Sequence, residues 1–298
     1  RFRHSFPTRR SSDLKEFEKM IKEGFEYKYP NGESLIDTFH RIKNQIDIIL
    51  EQNKNKSILI CSHGGTIRNI ISYLLCNDYK YHWNFRVDNG SITEIEKIRM
   101  IWDSIPKQLA KENNKFVFSH VKEGKRAHEL EAALQWLKNS GLVHLVELVQ
   151  NAELPLSSNA DSTYFKVYMA DSGLLCRRLG LSYKNILEEN TALSTFKGAI
   201  TENYVLQELI VQNKVPYFWR SGNTAELDFL FEEDGNVIPV EVKAATNTQA
   251  KSFKQFCKKY QSKTGFKLSL KNIAENDCEG TNAVSLPLYL LWNISLYH

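Results

Sequence analysis

The chain has no apolar run approaching the ~18 residues that a membrane-spanning helix needs, and no hydrophobic stretch resembling a secretion signal stands at its N-terminus. The expectation is therefore a protein with no membrane partner, working in the cytoplasm. Its five cysteines, at 61, 76, 176, 257 and 278, are odd in number, scattered and free of C-x-x-C spacing. Neither a disulfide framework nor a zinc site is expected from them. Nothing fits G-x-x-x-x-G-K-[ST], so ATP binding is not expected. Charge of one sign is also lacking. The net +4 is mostly a tail effect: Arg1, Arg3, Arg9 and Arg10 face only Asp13 in residues 1–14, and residues 100–298 balance 22 basic against 22 acidic side chains. What is present is 298 residues with 42% hydrophobic content. That is enough for two or three domains, at roughly 100 to 200 residues each.

Residues 4–14, HSFPTRRSSDL, resemble the conceptual translation of a sequencing-adapter oligonucleotide. They are read as an assembly scar or disordered tail and set aside from the fold. After them, Lys56–Cys61 reads as a buried strand, Gly64-Gly65 as a tight turn and Thr66–Cys76 as a helix with Ile67, Ile70, Ile71, Leu74 and Leu75 on its apolar face. Such a turn places His63 and free amides at a helix N-terminus, which suits a phosphate. Alone, it reads better as an ordinary glycine-rich βα turn.

The order PNGES (30–34), a helix through Arg41 to Leu50, SHGGTIR (62–68) and DNGSITEIE (88–96) resembles the C-terminal half of the histidine phosphatase superfamily, in the branch of ribazole-phosphate phosphatases and phosphoglycerate mutases. That resemblance implies a phosphate pocket of two histidines and two arginines with a separate acid. Only His63 maps onto it, with Gly64 and Gly65 as a phosphate-binding remnant. No arginine-histidine-glycine nucleophile motif precedes it, since Ser5 follows Arg3-His4. Covalent phosphoryl transfer then has no nucleophile, and the segment is expected to be catalytically dead.

Residues 100–190 read as a winged-helix-like connector. Ile101–Lys111 and Arg126–Asn139 have helical patterns, with Leu130, Leu134 and Leu137 at core spacing and Gly141 as a C-cap. Leu142–Val149 and Tyr164–Met169 would form the wing. Lys125, Arg126 and Lys138 are offset by Glu129 and Glu131, which favours packing or protein contact over reading DNA.

In residues 191–298 a helix, Phe196–Gln212, carries Glu202, and strands are expected at Tyr217–Arg220, Glu226–Glu232 and Val237–Lys243. Asp234-Gly235 is a hairpin signal, and a two-residue turn there pairs Glu233 with Asn236. Counting back sets Asp228 opposite Glu241 and Glu226 opposite Lys243. Leu227, Phe229, Phe231, Ile238, Val240 and Val242 then share one face and the charges the other. Facing Cβ atoms lie roughly 4.5 to 5.5 Å apart, so Asp228 and Glu241 repel unless a cation or proton intervenes. Hard oxygen ligands at this spacing suit magnesium. Lys243 is placed to orient a water or to stabilise charge on a phosphate. The plainer alternative is a surface hairpin with a Glu226–Lys243 pair and two solvated acids. Lys251–Lys271 holds seven lysines and no acid. This is either a face that tracks a nucleic-acid backbone or a solvated helix surface.

The segments IWDSIPKQLAKENNKFVFSHV, FKGAITENYVLQEL, YFWRSGNTAELDFLF and VIPVEVKA, within residues 101–292, resemble the C-terminal region of a large prokaryotic family. These are AAA-type ATPases followed by a domain of unknown function with a PD-(D/E)xK, restriction-endonuclease-like fold. The resemblance implies Glu202 as the helix acid, Asp228 as the strand aspartate, Glu241 with Lys243 as the E-x-K, a magnesium site and DNA as partner. Leu227 stands where the family motif has proline, and members that keep the fold without cutting would instead be protein-interaction modules. The expected fold class is mixed α/β: a truncated histidine-phosphatase α/β fragment over 15–99, the connector over 100–190, and the nuclease-like α/β domain over 191–298, joined as a chimeric reading frame near Arg99.

Overall fold

The computed structural model describes residues 11–88, 93–111, 115–122, 127–182, 194–222, 225–244 and 250–297. Residues 4–10 of the adapter-like tail, Lys125, Arg126, Asn89–Ile92 of the DNGSITEIE motif and the expected boundary at 190 lie outside them. The chain divides into two compact units, Arg1–Glu96 and Lys97–His298. Among the described residues no helix is long and apolar enough to cross a membrane.

The first unit is built from helices. Ser11–Glu23 forms α1, so Ser11–Leu14 of the adapter-like tail are helical. Leu35–Gln52 forms α2, started by a capping box in which the Asp37 amide donates to Ser34 Oγ at 3.1 Å and the Ser34 amide to Asp37 Oδ2 at 3.4 Å. Gly64–Ile71 forms α3, continued by a π turn over Ser72–Cys76. Ile42 and Ile46 of α2 meet Ile70 of α3, flanked by Ile49, Tyr73 and Leu74. The expected buried strand at Lys56–Cys61 does not form: the segment is irregular and exposed, with Leu59 89% accessible. A lone strand cannot satisfy its own amides and carbonyls. Without a neighbour to pair with among the described residues, its backbone groups stay with water.

The second unit is a mixed sheet under helices. Its strands are β1 Val143–Val149, β2 Ala160–Met169, β3 Tyr217–Ser221, β4 Ala225–Glu233, β5 Asn236–Val242, β6 Thr264–Ser269, β7 Ala274–Cys278 and β8 Thr281–Pro287, in the spatial order β2-β1-β3-β4-β5-β6-β8-β7. Helices α4 (Ile95–Leu109) and α5 (Ala127–Asn139) precede the sheet. Gly141, at φ +65°, ends α5 with a Schellman motif, its amide donating to the Lys138 carbonyl and the Leu142 amide to that of Leu137. The strands expected to form a wing, β1 and β2, pair antiparallel as foreseen, but β1 also pairs in parallel with β3. They are the margin of the one large sheet, and the winged-helix-like segment is not a separate body. The physical reason is that Val146, Leu148 and Val149 are buried, and a two-stranded ribbon alone is marginal, whereas the margin of a large sheet shares its core.

Helix α6 (Ser172–Arg178) follows β2, and α7 (Ser194–Val211) carries Asn203, fully buried, which accepts from the Met169 amide and donates to its carbonyl, both at 2.9 Å. This clamps α7 to the end of β2. Helix α8 (Lys251–Tyr260) buries Phe253, Phe256 and Cys257 against Val149, Trp219, Leu227 and Leu230. Gly265 in β6 is required here, because a Cβ would stand 2.7 Å from Pro239 Cγ and 2.8 Å from Phe253 Cζ.

The β4–β5 hairpin turns at Asp234-Gly235, both with positive φ, and pairs Glu233 with Asn236 as the sequence indicates. One feature of the register departs from expectation. Against β3, Tyr217 faces Leu230 but Trp219 faces Leu227, so β4 carries one extra residue at Asp228–Phe229. The bulge puts Leu227 and Leu230 into the same core under α8, while Phe229 packs on Tyr168 of β2 at 5.8 Å. Leu227 and Phe229 therefore do not share a face.

Candidate active site

Four carboxylates and three cations meet where β2, β3, β4, β5 and α7 converge. Asp228 sits in the bulge, and the β4–β5 ladder ends one rung earlier, at Phe229–Val240. Instead of facing Glu241 across a rung, Asp228 accepts the Val242 amide on Oδ2 at 2.7 Å. The expected partnership of Glu226 with Lys243 is also replaced. Lys243 pairs with Glu241 on its own strand at 2.6 Å, and Glu226 pairs with Lys166 of β2 at 2.6 Å, with Arg220 of β3 at 4.0 Å. A bulge rotates the residues before it out of simple alternation, which is why counting rungs assigned these partners wrongly.

Burial and charge set the protonation of the cluster. Burial first, then the charges of Glu241 and Glu202, hold the Asp228 carboxyl well above the usual carboxylate range. Glu241 is raised by burial as well, partly offset by Lys243. For Lys166 burial favours the neutral amine, but Glu202, Glu226 and Asp228 outweigh it and hold the ammonium above its ordinary value. Lys243 behaves likewise, with Glu241 as the main counterweight. Tyr168 donates its hydroxyl to Glu202 at 3.1 Å, fixing the helix acid. The structure thus brings Glu202, Asp228, Glu241 and Lys243 into one electrostatic cluster.

Lys166 is the residue that sequence reading missed. It is 2% exposed, and its ammonium lies 4.9 Å from the Phe218 ring centre. The available signal was a lysine inside the otherwise uncharged strand TYFKVYM (163–169). Together with Glu202, Glu226, Asp228 and Lys111 it lines a pocket of about 250 Å³.

Among the described residues no three His, Cys, Asp or Glu side chains converge closely enough to hold a metal ion. Two carboxylates do fit a divalent cation in a specific way. Glu241 Oε2 is buried with no hydrogen-bond partner, and Asp228 lies close enough for the Glu241 charge to raise its carboxyl. A magnesium ion commonly takes only one or two protein carboxylates and fills its remaining positions with water and substrate phosphate.

In the first unit, His63 is the N-cap of α3 and makes no side-chain capping bond, and His63, Gly64 and Gly65 are all exposed. A Cβ at Gly64 or Gly65 would meet nothing within 4 Å. The expected strand, turn and helix reduces to an irregular segment and a helix, which leaves the remnant open among the described residues.

A mixed α/β unit with an acid–lysine cluster and a helical unit with an open glycine turn are matched by separate families. Residues 197–289 match the model described as a domain of unknown function (DUF4143), the C-terminal domain of AAA-ATPase-type proteins. Residues 4–103 match the histidine phosphatase superfamily (branch 1), and residues 87–185 match a further domain of unknown function (DUF8612). The phosphatase match begins inside the adapter-like segment. Uncharacterized proteins of Mycobacterium tuberculosis and Mycobacterium bovis are each 38% identical over 80 residues, covering 26% of this chain and 17% of theirs. Phosphoserine phosphatase 1 of Hydrogenobacter thermophilus is 26% identical over 80 residues, covering 27% of this chain and 38% of its own. The chain thus spans less than half the length of each of these relatives.

Proposed function

We propose that the second unit is a nuclease-like module of the PD-(D/E)xK kind, binding one magnesium ion through Asp228 and Glu241 and acting on a phosphodiester of DNA. The observation that carries this reading is the buried, unpartnered Oε2 of Glu241 beside the half-buried Asp228 and an ammonium. The bound ion would supply Lewis acidity toward a phosphoryl oxygen. Lys243, held at 2.6 Å from Glu241, stabilises charge on the phosphate, and Glu202, held by Tyr168, orients water. The lysines of α8 supply sequence-independent attraction to the backbone. The test is nicking of supercoiled plasmid DNA in magnesium. The full chain is expected to cut, and Glu241→Gln and Asp228→Asn to lose ~10²-fold or more. Undiminished cutting by both variants contradicts the reading.

A non-catalytic protein-interaction module with the same fold is the second reading. It is favoured by the two internal ion pairs, Lys166–Glu226 and Lys243–Glu241, which already neutralise half the acids. In that case both variants leave magnesium affinity unchanged.

We further propose that the first unit has no phosphatase activity, because no arginine-histidine-glycine motif accompanies His63, which is exposed. Phosphate release from p-nitrophenyl phosphate, abolished by His63→Ala, would overturn this. We read the whole as a cytoplasmic, chimeric reading frame that joins a histidine-phosphatase-like fragment to the nuclease-like module. Amplification of genomic DNA across the codons near Arg99 tests it, and an intact product of the expected length would show a natural fusion.

A further inference from the structure

We propose that Arg220 and Lys115, gathered on Tyr164 beside the acid cluster, form a subsite for a DNA backbone phosphate neighbouring the one to be cut. That the strand is cut rests on the proposed function, whereas the cationic surface rests on these three side chains alone.

The sheet decides which cations can touch such a strand. Arg220 and Glu226 face each other on one rung of β3 and β4, and Trp219 and Leu227 on the next. Successive residues present their side chains to opposite faces. Helix α8 packs on Trp219 and Leu227, so its lysines lie across the sheet from Glu226 and attract a nucleic acid from a distance. Cations in contact with the strand must stand on the Arg220 face. There Tyr164, Lys166 and Tyr168 of β2 form a row: Tyr168 holds Glu202 at 3.1 Å, Lys166 holds Glu226 at 2.6 Å, and Tyr164 packs on Phe218 at 5.9 Å. Lys115 bridges to Lys166 along β2, fastened by the Phe116 amide donating to the Phe165 carbonyl at 2.9 Å. Its ammonium lies 3.7 Å from the Tyr164 ring centre. Arg220 donates from Nη1 to the Tyr164 hydroxyl, with its guanidinium carbon 6.0 Å from the same ring centre. Two like charges are thus drawn to one aromatic ring. Glu226 lies 4.0 Å from Arg220 Nε and is already bonded to Lys166. Asp161 is held below the ordinary carboxylate value by the Thr163 hydroxyl and amide first, and by Lys115 after them. With Glu226 given to Lys166, Lys115 and Arg220 have Asp161 to share among the described residues. A phosphate supplies the missing negative charge, and a guanidinium fork can grip two of its oxygens. Glu226 lines the pocket with Asp228, so Arg220 stands one side chain away from the acids.

The experiment follows binding of a fluorescein-labelled DNA duplex to the full chain by anisotropy, in EDTA and rising potassium chloride. The slope of log affinity against log salt reports the phosphates contacted. Arg220→Gln and Lys115→Gln are each expected to weaken binding and to reduce that slope by about 1, while Lys258→Gln on α8 changes it much less. Tyr164→Phe, which removes the hydroxyl and keeps both cations, is expected to preserve the slope. Weaker binding with no change of slope would mean that Arg220 only braces Tyr164 and Glu226, and overturns the proposal. Circular dichroism checks folding, and Lys115→Gln decides alone if Arg220→Gln does not fold. Unchanged slopes in a chain that nicks plasmid in magnesium sink the subsite and keep the nuclease reading. Reduced slopes in the variants of a chain that nicks nothing keep the subsite and sink that reading. No duplex binding by wild type sinks both.

Discussion

Lys56–Cys61 (KSILIC) and β5 (NVIPVEV) are short apolar segments of similar strand character, and only the second is a strand. β5 is paired on both sides, antiparallel with β4 and in parallel with β6. Among the described residues Lys56–Cys61 has no strand beside it, and Ile58, Leu59 and Ile60 are exposed. The contrast teaches that a buried strand is a property of its neighbours. The same holds for chemistry: five elements converge to make an enclosed cluster in the second unit, whereas one helix start leaves His63 in the open.

The largest effect expected from this contrast is in the core. Trp219→Ala, at a fully buried side chain packed on Phe256, should cost about 3–5 kcal/mol. Ile60→Ala in the unpaired segment should change stability by no more than about 0.5 kcal/mol. Urea unfolding of both variants compares them, and a comparable loss at Ile60 would mean that this segment is buried after all.

Next in size is an opposite response of the two units to pH. His82 is buried, its Nδ1 lies 2.7 Å from Asn69 Oδ1, and burial with the nearby Arg68 charge lowers its pKa to about 4. The unfolded chain then binds a proton that the folded unit does not, so the first unit loses stability as pH falls from 6.5 toward 4, on the order of 2–3 kcal/mol. Asp228 and Glu241 are shifted upward, so the folded second unit holds protons that the unfolded chain releases, and its stability falls as pH rises above the ordinary carboxylate range. Hydrogen exchange read separately on α2 and on β4–β5 should show the two trends. Asp228→Asn, which keeps the acceptor for the Val242 amide, should raise the melting temperature at pH 8, by about 2–4 °C for each kcal/mol relieved. A lowered melting temperature would mean that the ionised carboxylate is stabilising.

The smallest contrast is between two glycines. Gly265→Ala should cost about 1–3 kcal/mol by overpacking against Pro239 and Phe253. Gly64→Ala, facing open space, should move stability by less than about 0.5 kcal/mol in calorimetry. Equal losses at both positions would erase the distinction between an enclosed site and an open one.

Much of the local structure was legible in the sequence. Alternating apolar residues and Asp234-Gly235 specified the β4–β5 hairpin and its first rungs, the Leu130, Leu134 and Leu137 spacing with Gly141 specified α5 and its end, and the four residues matched to the nuclease-like motif do cluster. What escaped was non-local. The bulge at Asp228–Phe229 arises from pairing with β3, so strict alternation along β4 could not show that Glu226 would leave Lys243 for Lys166. The connector merged into the sheet because β1 lies beside β3, a pairing between residues some 70 positions apart. Lys56–Cys61 read as a strand because its composition is that of one, and composition carries no record of the partner it needs.

The proposed chemistry depends on Asp228 and Glu241 forming one cation site. Calorimetric titration of magnesium into the full chain and into Asp228→Asn and Glu241→Gln tests it most directly. Saturable binding by wild type, weakened tenfold or more in each variant and tighter at pH 8 than at pH 6, is the predicted result. Binding of equal strength in all three proteins, or none in wild type, would contradict it.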